Sequence, residues 1–382
     1  MPKAASLAEG VNELEQSAQI LLAEFETKRR RLCEQMASSG LAAVQLQRSE
    51  NIAWLTAGRV DRRVLLPSAT GIATILVLRS GDAFYFAPDN EAPRLAEEDF
   101  AGLPFTAINT PWHAADFSTK IRSLAGDGRI AADIAPEGAA LLLDHRASLA
   151  DSEVERYRWL GRNTAEVTVK VLHSLQPGVT ERTMAARVAS ALIERGIEPS
   201  VLLMAVDGRV LRYKHAVAQN ATLEHFGMLN LCSRRWGLCI SITRFVHFGP
   251  LPQRLAEAFG VAAEVNARLL AATKADATSA ELFATSADIY ASLGHRGEEQ
   301  RHHQGGATGY AEREWLATPA GRERVMNNQA FAWNPSIAGG KVEDTVLLRD
   351  GAIELITGTP DLPLVSTQAG DLTVQSAGVL VR

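Results

Sequence analysis

Histidine is the side chain best suited to acid–base chemistry at neutral pH, and the chain has nine, among them His215 and the adjacent pair His302–His303. Imidazoles titrate near neutral pH and move protons without the help of a metal ion, and a carboxylate can hold a cationic group of a substrate. For each histidine taken alone, a solvated or hydrogen-bonded structural imidazole is the alternative. These residue types permit proton transfer, provided that the fold brings them together.

A second set of polar residues lies within apolar segments that predict a β-hairpin. The segments Met228–Cys232 and Gly237–Phe248 flank the polar run Ser233–Arg235, which we interpret as the turn. Asn230 and Ser241 fall inside these strands, where an unpaired buried polar group costs about 1–3 kcal/mol. They are either satisfied core residues or part of a polar site.

Composition narrows the class of protein. The chain has 382 residues, of which 46% are hydrophobic, so it is long enough for two domains with sizeable cores. The formal net charge of −5, without a basic stripe, argues against nucleic acid as a partner. Three cysteines without ligand-like spacing predict reduced thiols. No apolar run approaches the length of about 20 residues that spans a bilayer, and no signal peptide is evident, so we expect a soluble cytoplasmic protein.

The first 151 residues predict a small α/β domain. A helix over Val11–Ser39 ends at Gly40, and short strands alternate with helical pieces after it. The predicted strands are Leu41–Leu46, Asn51–Thr56, Ile72–Leu78, Ala83–Ala87, Phe105–Ile108 and Arg129–Ile134. A polar stretch at Leu149–Glu155 marks the boundary, so we expect the domains to cover residues 1–151 and 152–382.

The second half contains a repeat in its helix boundaries. One helix opens at Thr180 and ends at Gly196, and another opens at Thr278 and ends at Gly294, so both markers recur after 98 residues. Each of these helices follows another helix and leads towards predicted strands. One helix-helix-sheet unit used twice predicts a pseudo-twofold domain with a cleft between its halves.

The hairpin resembles the central metal-binding hairpin of the creatinase/aminopeptidase P/methionine aminopeptidase superfamily, the pita-bread hydrolases. The matching residues are Gly237-Leu238, Ile242-Thr243-Arg244 and Gly249, and Asn51–Thr56 matches an N-terminal signature of creatinase- and prolidase-type proteins. The resemblance implies an α+β protein with two domains. The first is a creatinase-like α/β domain, and the second is a pita-bread domain with pseudo-twofold duplicated helix-helix-sheet halves.

The resemblance also implies that most metal ligands are missing. The family's two ligand aspartates fall on Asn230 and Ser241, the histidine of its glycine-rich turn on Gly306, and its glutamate before proline on Asn334. The last ligand alone survives, as Glu343. Neutral replacements and one carboxylate do not hold two hard cations. We therefore predict no bound metal and no cofactor.

A single ion bound by His302, His303 and Glu343 is the metal-dependent alternative. Adjacent histidines on an extended segment point to opposite faces, which disfavours a shared ion. This alternative corresponds to an atypical mononuclear hydrolase similar to Xaa-Pro peptidases.

Creatinase is the precedent for chemistry without a metal in this superfamily. The resemblance implies the same fold, hydrolysis of a guanidino C–N bond by a proton-transferring histidine, and sites completed by N-terminal residues of the partner subunit in a homodimer. In this chain the corresponding candidates are Arg59 and Arg62. Creatinase retains the turn histidine and the glutamate before proline, where this chain has Gly306 and Asn334. Its chemistry therefore does not transfer unchanged.

The sequence favours a metal-independent pita-bread enzyme that hydrolyses or cleaves a C–N bond of a small polar amino, amidino or guanidino compound. His215 or the His302–His303 pair would move protons, and Glu343 would bind a cationic substrate group. The expected substrate-binding residues are Asn230, Ser241, Arg244, Gln304, Asn334, Asp344, Arg59 and Arg62. The alternative from another class is a catalytically inactive pseudo-peptidase that binds a ligand or a partner. In either case we expect a homodimer.

Overall fold

The computed structural model describes residues 18–61, 64–66, 68–114 and 116–382. The chain divides into two compact units between Arg146 and Ala147. Within the described ranges, no helix combines the length and the apolar character needed to cross a membrane.

The first unit is a five-stranded mixed sheet with helices between its strands. The strands are β1 (Leu41–Arg48), β2 (Thr70–Leu78), β3 (Ala83–Pro88), β4 (Thr106–Thr110) and β5 (Arg129–Ala132), in the spatial order β4-β3-β2-β1-β5. The helices are α1 (Ala18–Ser38), α2 (Ser49–Leu55), α3 (Ala92–Arg94), α4 (Ser118–Ala125) and α5 (Pro136–Arg146), with a π-helical turn at Leu95–Asp99 and a 3₁₀ turn at Trp112–Ala114. Helix α1 confirms the predicted first helix from Ala18 onward, and residues 1–17 lie outside the described ranges.

One segment predicted as a strand is a helix. Asn51–Thr56 forms most of α2 and its C-terminal cap, and its residues are buried. Asn51 Nδ2 donates to Asp133 Oδ2 over 3.0 Å, and Asn51 Oδ1 accepts from Arg146 Nη1 over 2.6 Å. Short apolar runs predict a buried strand and a buried helix equally well. The two residues that hydrogen-bond to the Asn51 side chain lie 82 and 95 residues away in the sequence. A pattern of neighbouring residues therefore cannot reveal them.

The second unit repeats a pair of helices followed by a sheet. The first pair is α6 (Asp151–Ser174) and α7 (Glu181–Ile193), the second pair is α9 (Gln253–Ala272) and α10 (Ser279–Ser292), and α8 (Gly208–Arg212) is a short helix between them. Thr180 and Thr278 cap α7 and α10 in the same way, since each side chain accepts a hydrogen bond from the backbone three residues later. Each threonine also forms an isolated β-bridge, to Thr222 and to Arg324. The predicted repeat is therefore present at the level of these caps.

Two sheets of this unit carry the candidate site. The first sheet contains β6 (Glu198–Val206), β7 (Phe226–Arg235), β8 (Leu238–His247) and β18 (Val379–Val381), in the order β18-β8-β7-β6. The second contains β9 (Gly305–Thr308), β10 (Trp315–Leu316), β11 (Gln329–Trp333), β14 (Asp344–Arg349) and β15 (Ala352–Leu355), in the order β10-β9-β11-β14-β15. Two hairpins accompany them, β12 (Ser336–Ile337) with β13 (Gly340–Lys341) and β16 (Leu364–Ala369) with β17 (Leu372–Ala377). The predicted α+β class is confirmed.

The β7–β8 hairpin turns at Trp236-Gly237 and not at the predicted Ser233–Arg235. Both turn residues have positive φ angles, 55° and 78°, which suit a two-residue hairpin turn whose twist matches the strands. Ser233 and Arg234 continue β7 and are buried, and Ser233 Oγ lies 2.7 Å from Thr164 Oγ1 of α6. The polar run was interpreted as a turn because it is polar. It is part of the strand instead, since the hydroxyl of Ser233 has a buried partner on α6, far away in the sequence.

Strand β8 contacts the beginning of β14, and this contact positions the site. Thr243 N donates to Glu343 O over 3.1 Å. Within the hairpin, Asn230 pairs with Thr243 and Cys232 pairs with Ser241. Directly opposed residues of antiparallel strands share a face, so these four side chains point to the same side. The carboxylate of Glu343 therefore lies beside Asn230 and Thr243 of the hairpin.

Candidate functional site

Glu343 is the centre of a buried polar cluster on the hairpin face. Asn230 Nδ2 and Thr243 Oγ1 each donate to Glu343 Oε2 over 2.6 Å. Asn230 Nδ2 also lies 2.7 Å from Thr243 Oγ1. The glutamate is 2% exposed. A carboxylate buried this deeply needs hydrogen bonds and a counter-charge.

Two cationic side chains supply that counter-charge. Arg313 Nη2 lies 3.1 Å from Glu343 Oε1, and Lys341 Nζ lies 3.1 Å from Glu343 Oε2. Arg313 comes from the loop between β9 and β10, and Lys341 ends β13. Sequence reasoning missed both residues. The one signal for them was indirect: a single carboxylate among neutral buried groups requires a cation close by.

The two cations keep Glu343 ionised. Burial raises the pKa of Glu343, but the charges of Lys341 and Arg313 and the hydrogen bond from Thr243 outweigh burial and lower the pKa to about 2. Two cations and one carboxylate leave this group of three residues with one excess positive charge at neutral pH. The group therefore attracts an anion. A cationic substrate group, which the sequence assigned to Glu343, would have to compete with Arg313 and Lys341.

Ser241 links the hairpin to the same guanidinium. Arg313 Nη1 donates to Ser241 Oγ over 2.9 Å, and Ser241 Oγ lies 3.1 Å from Cys232 Sγ. Burial raises the pKa of Cys232 to about 11, so this side chain is a thiol at neutral pH. Asn230 and Ser241 are thus both part of the network around Glu343.

His215, His302 and His303 form a second cluster. His302 Nε2 lies 2.9 Å from His215 Nε2, and the rings of His302 and His303 stack with centroids 4.3 Å apart and an interplanar angle of 27°. The expectation that the two adjacent histidines point to opposite faces is wrong. They follow a 3₁₀ turn at Glu298–Gln300 in an irregular segment, where the two-residue period of a strand does not apply.

All three imidazoles of this cluster have lowered pKa values. Burial, with Lys341 adding to its effect, lowers the pKa of His302 to about 3, and burial with Arg313 lowers that of His303 to about 4. The pKa of His215 is lowered by burial and then by Lys341. The imidazoles are therefore neutral at neutral pH. The shared influence of Lys341 and Arg313 places this cluster within electrostatic reach of the Glu343 group.

The side-chain amides of Gln304 and Asn334 differ in whether their polar atoms already have hydrogen-bond partners. Gln304 Nε2 donates to His302 O over 2.7 Å, and Gln304 Oε1 accepts from Tyr290 Oη over 3.0 Å, so this amide holds the histidine segment in place. Asn334 N donates to Gln304 O over 2.9 Å. Asn334 Oδ1 is buried and has no hydrogen-bond partner in the part of the chain that the structure describes. Asn334 therefore keeps an acceptor for a ligand.

Arg244 and Asp344 pair on the other side of the same strands. Arg244 Nη2 lies 2.6 Å from Asp344 Oδ1, and both side chains bond to Thr357. They follow Thr243 and Glu343 in sequence, so strand alternation turns them away from the polar cluster. Burial raises the pKa of Asp344, although Arg244 opposes this effect. Their contacts favour a role in holding β8 against β14 over the substrate contact that the sequence predicted.

The arginines predicted to reach a partner subunit belong to the first unit. Arg59 Nη2 donates to the backbone oxygens of Glu98 and Ala101 over 3.1 and 3.2 Å. Arg62 lies outside the described residues. Their contribution to a partner's site stays a prediction.

The sequence of the second unit matches a known family. The model of metallopeptidase family M24 matches residues 155–350, just over half of the chain. The chain belongs to metallopeptidase family M24. The resemblance to the creatinase/aminopeptidase P superfamily is thereby confirmed.

Solved structures of peptidases share the fold of this M24 chain. Dipeptidase PepE from Mycobacterium ulcerans has a TM-score of 0.74 at 16% identity, with 89% of this chain and 97% of that chain covered. The Xaa-Pro dipeptidase from Bacillus anthracis has a TM-score of 0.70 at 16% identity, with 94% and 100% covered. An uncharacterised peptidase of Staphylococcus saprophyticus is 24% identical over 225 residues, which are 55% of this chain and 62%, less than two thirds, of that relative. Structural likeness at such low identity establishes the two-domain pita-bread fold alone.

The residues of this M24 chain do not fit the two-metal centre that the resemblance implies. Of the five corresponding positions, only Glu343 provides a carboxylate, and its oxygens already contact two cations. Gly306 stands where the resemblance places a ligand histidine, and a Cβ atom there would lie 2.2 Å from Trp315 O. Asn230 directs its amide nitrogen, which is a donor, at the carboxylate. The described residues thus offer neither the negative charge nor the space of a dinuclear site.

Proposed function

We propose that this M24 member hydrolyses a C–N bond in a small polar compound that carries a carboxylate, without metal ions at the family's metal position. The observation that carries the proposal is the contact of Arg313 and Lys341 with Glu343. These side chains provide positive charge where a two-metal site would provide it through its ions. Their excess of one positive charge favours a substrate with an anionic group.

The imidazole cluster supports proton transfer in this proposal. A neutral imidazole accepts a proton from water and returns it to a leaving nitrogen, as a general base and then a general acid. The pKa values of about 3 and 4 for His302 and His303 are low for this task. A bound carboxylate adds a negative charge beside Arg313 and Lys341, and so raises the imidazole pKa values towards neutrality. Substrate binding would therefore prepare the base.

Two groups near the clusters are available to hold the substrate. Arg313 keeps Nε without a hydrogen-bond partner among the described residues, and its side chain is 16% exposed. Asn334 Oδ1 is an open acceptor for an N–H group. A compound with a carboxylate and N–H donors, such as a dipeptide, an N-acyl amino acid, or an amidino or guanidino acid, satisfies both.

Hydrolysis of a substrate panel tests the proposal. The panel contains these four classes of compound, each with its methyl ester as the matched control. We expect chelator-insensitive hydrolysis of a free acid, and a KM for its ester about tenfold higher or more, because the ester cannot form a charge-assisted pair with the guanidinium. In the Arg313→Gln variant, the KM of the free acid should rise to nearly that of its methyl ester. Activity that disappears with chelator and returns with Mn²⁺ or Co²⁺ contradicts the proposal.

A ligand-binding protein without turnover is the second candidate. It is favoured by the saturation of Glu343, whose two oxygens receive contacts from four side chains of the chain itself. The same panel separates the two candidates. A compound that raises the melting temperature and is recovered unchanged after prolonged incubation supports binding alone.

A further inference from the structure

The imidazole cluster has the geometry of a metal site at a place other than the family's metal position. One nitrogen atom from each of His215, His302 and His303 lies within 4.8 Å of the other two. In a tetrahedral site, Zn–N bonds of about 2.0–2.1 Å put neighbouring ligand nitrogens about 3.3 Å apart. The observed Nε2–Nε2 distance of 2.9 Å between His215 and His302 is close to that value. The cluster therefore places three imidazole nitrogens within the range that one ion can bridge.

Nitrogen atoms of this cluster lack partners. The Nδ1 atoms of His302 and His303 are buried, and neither has a hydrogen-bond partner in the described residues. Buried polar atoms of folded proteins are nearly always paired. The contact between His215 and His302 satisfies one donor and one acceptor only. His302 and His303 therefore each keep a ring nitrogen that a ligand can use.

The chemistry of three imidazoles selects the kind of ion. Imidazole suits Zn²⁺, Cu²⁺ and Ni²⁺, whereas Mg²⁺ and Ca²⁺ prefer oxygen ligands. Arg313 and Lys341 repel a cation and, of these three, only Glu343 attracts it, so the imidazole nitrogens, and not the surrounding charge, must hold the ion. His215 is exposed, which gives an ion access from solvent. Catalytic zinc sites likewise combine three protein ligands with an open fourth position.

We propose that His215, His302 and His303 bind one transition metal ion through one imidazole nitrogen each, with a fourth position open to solvent. The site does not depend on the proposed reaction. An ion there occupies the nitrogen atoms that proton transfer would use, so the proposed hydrolysis belongs to the metal-free protein.

Cobalt titration of the full-length, chelator-stripped protein tests the site. Four-coordinate Co²⁺ gives an intense visible absorption band, and Zn²⁺ displaces it, so no substrate is needed. We expect one equivalent in the wild type and in His225→Ala, which removes an exposed imidazole elsewhere in the same unit. His215→Ala, His302→Ala and His303→Ala should each weaken binding about tenfold or more. Thermal melting confirms that each variant is folded.

Two results would overturn the proposal. The first is a wild type that binds less than one equivalent or shows no four-coordinate spectrum. The second is binding that persists in all three histidine variants and is lost in Glu343→Gln, because the ion would then lie at the family's position. Neither result bears on the hydrolysis assay, which is run in chelator.

Discussion

At the scale of single residues, the charge of Glu343 is balanced from within the chain. Its carboxylate contacts Arg313 on one oxygen and Lys341 on the other. Removing one partner of a buried ion pair leaves an uncompensated charge, which costs about 3–5 kcal/mol, whereas replacing the whole group by neutral residues is far less costly. If either cation is removed, the other still compensates the charge of Glu343 in part.

This arrangement predicts a non-additive stability series. Arg313→Met and Lys341→Met should each lower the free energy of unfolding by about 1–3 kcal/mol, because Glu343 keeps one cation. The double variant should lose more than the sum, and adding Glu343→Gln to it should restore part of the loss. Urea denaturation measures all four. Arg129→Met is the control, since its pair with Glu137 is exposed and should change stability by less than about 0.5 kcal/mol. Additive losses without rescue would contradict the assignment.

A second residue-scale prediction concerns pH and the first unit. Burial, with a smaller contribution from Arg31, lowers the pKa of His145 from its usual value of 6.5 to about 4. Between these values the unfolded chain binds a proton that the folded chain does not. The contribution of His145 to stability is thus complete above pH 6.5 and is lost as the pH falls towards 4. His145→Phe should reduce the loss of stability between pH 7 and pH 4.5 in urea titrations.

The matched control for that experiment is His113→Phe, because His113 is exposed. Its pH dependence of unfolding should equal that of the wild type. If His145→Phe and His113→Phe behave alike, the acid sensitivity of the protein has another origin.

The resemblance was informative where the family's ligand positions map onto this chain. It places Asn230 and Glu343 in one site, and the two side chains are hydrogen-bonded at 2.6 Å. Sequence reasoning failed for Arg313 and Lys341, because a cation reaches a buried carboxylate along a long flexible side chain that no periodicity records. It also failed for the His302–His303 pair, whose rings stack because their segment is irregular.

At the scale of elements, the contact between β9 and β10 forbids a side chain at Gly306. A Cβ atom there would lie 2.2 Å from Trp315 O, which is backbone and cannot move aside. Gly306→Ala should therefore lower the free energy of unfolding by more than about 2 kcal/mol. Gly260 lies in helix α9 with no atom within 4 Å of its Cβ position, so Gly260→Ala should stabilise the protein by about 0.5–1 kcal/mol. Thermal or urea unfolding measures the stability of both variants. If Gly306→Ala leaves the free energy of unfolding unchanged, β9 and β10 can move apart to admit the methyl group.

Helix and strand boundaries were predicted correctly where neighbouring residues determine them. They were missed where partners that are distant in the sequence determine them. The caps at Thr180 and Thr278 depend on neighbours within three residues, and both were placed correctly. The turn at Trp236-Gly237 was misplaced, because the polar residues before it find buried partners on α6. Helix α2 was predicted as a strand for a similar reason, because its residue Asn51 hydrogen-bonds to Asp133, which is distant in the sequence.

At the scale of the whole molecule, the duplicated second unit was foreseen because its signal is long-range and regular. The threonines and glycines that mark the two helices recur after 98 residues, so the offset is visible without identity between the two halves. The assembly has no comparable signal in the chain. We predict a homodimer from the resemblance to creatinase, with Arg59 contributing to the partner's site. Light scattering that shows a monomer at micromolar concentration would contradict this prediction.

Mixing two inactive variants tests the shared site directly. In a dimer that joins Arg59→Ala to His303→Ala, one site contains both native residues and the other contains neither. Random exchange of subunits makes about half of the dimers mixed, so about a quarter of the wild-type sites should become functional. Turnover, or ligand stoichiometry if the protein only binds, reports that fraction. A mixture as inactive as its components, from variants that both dimerise, would mean that Arg59 acts within its own subunit or not at all.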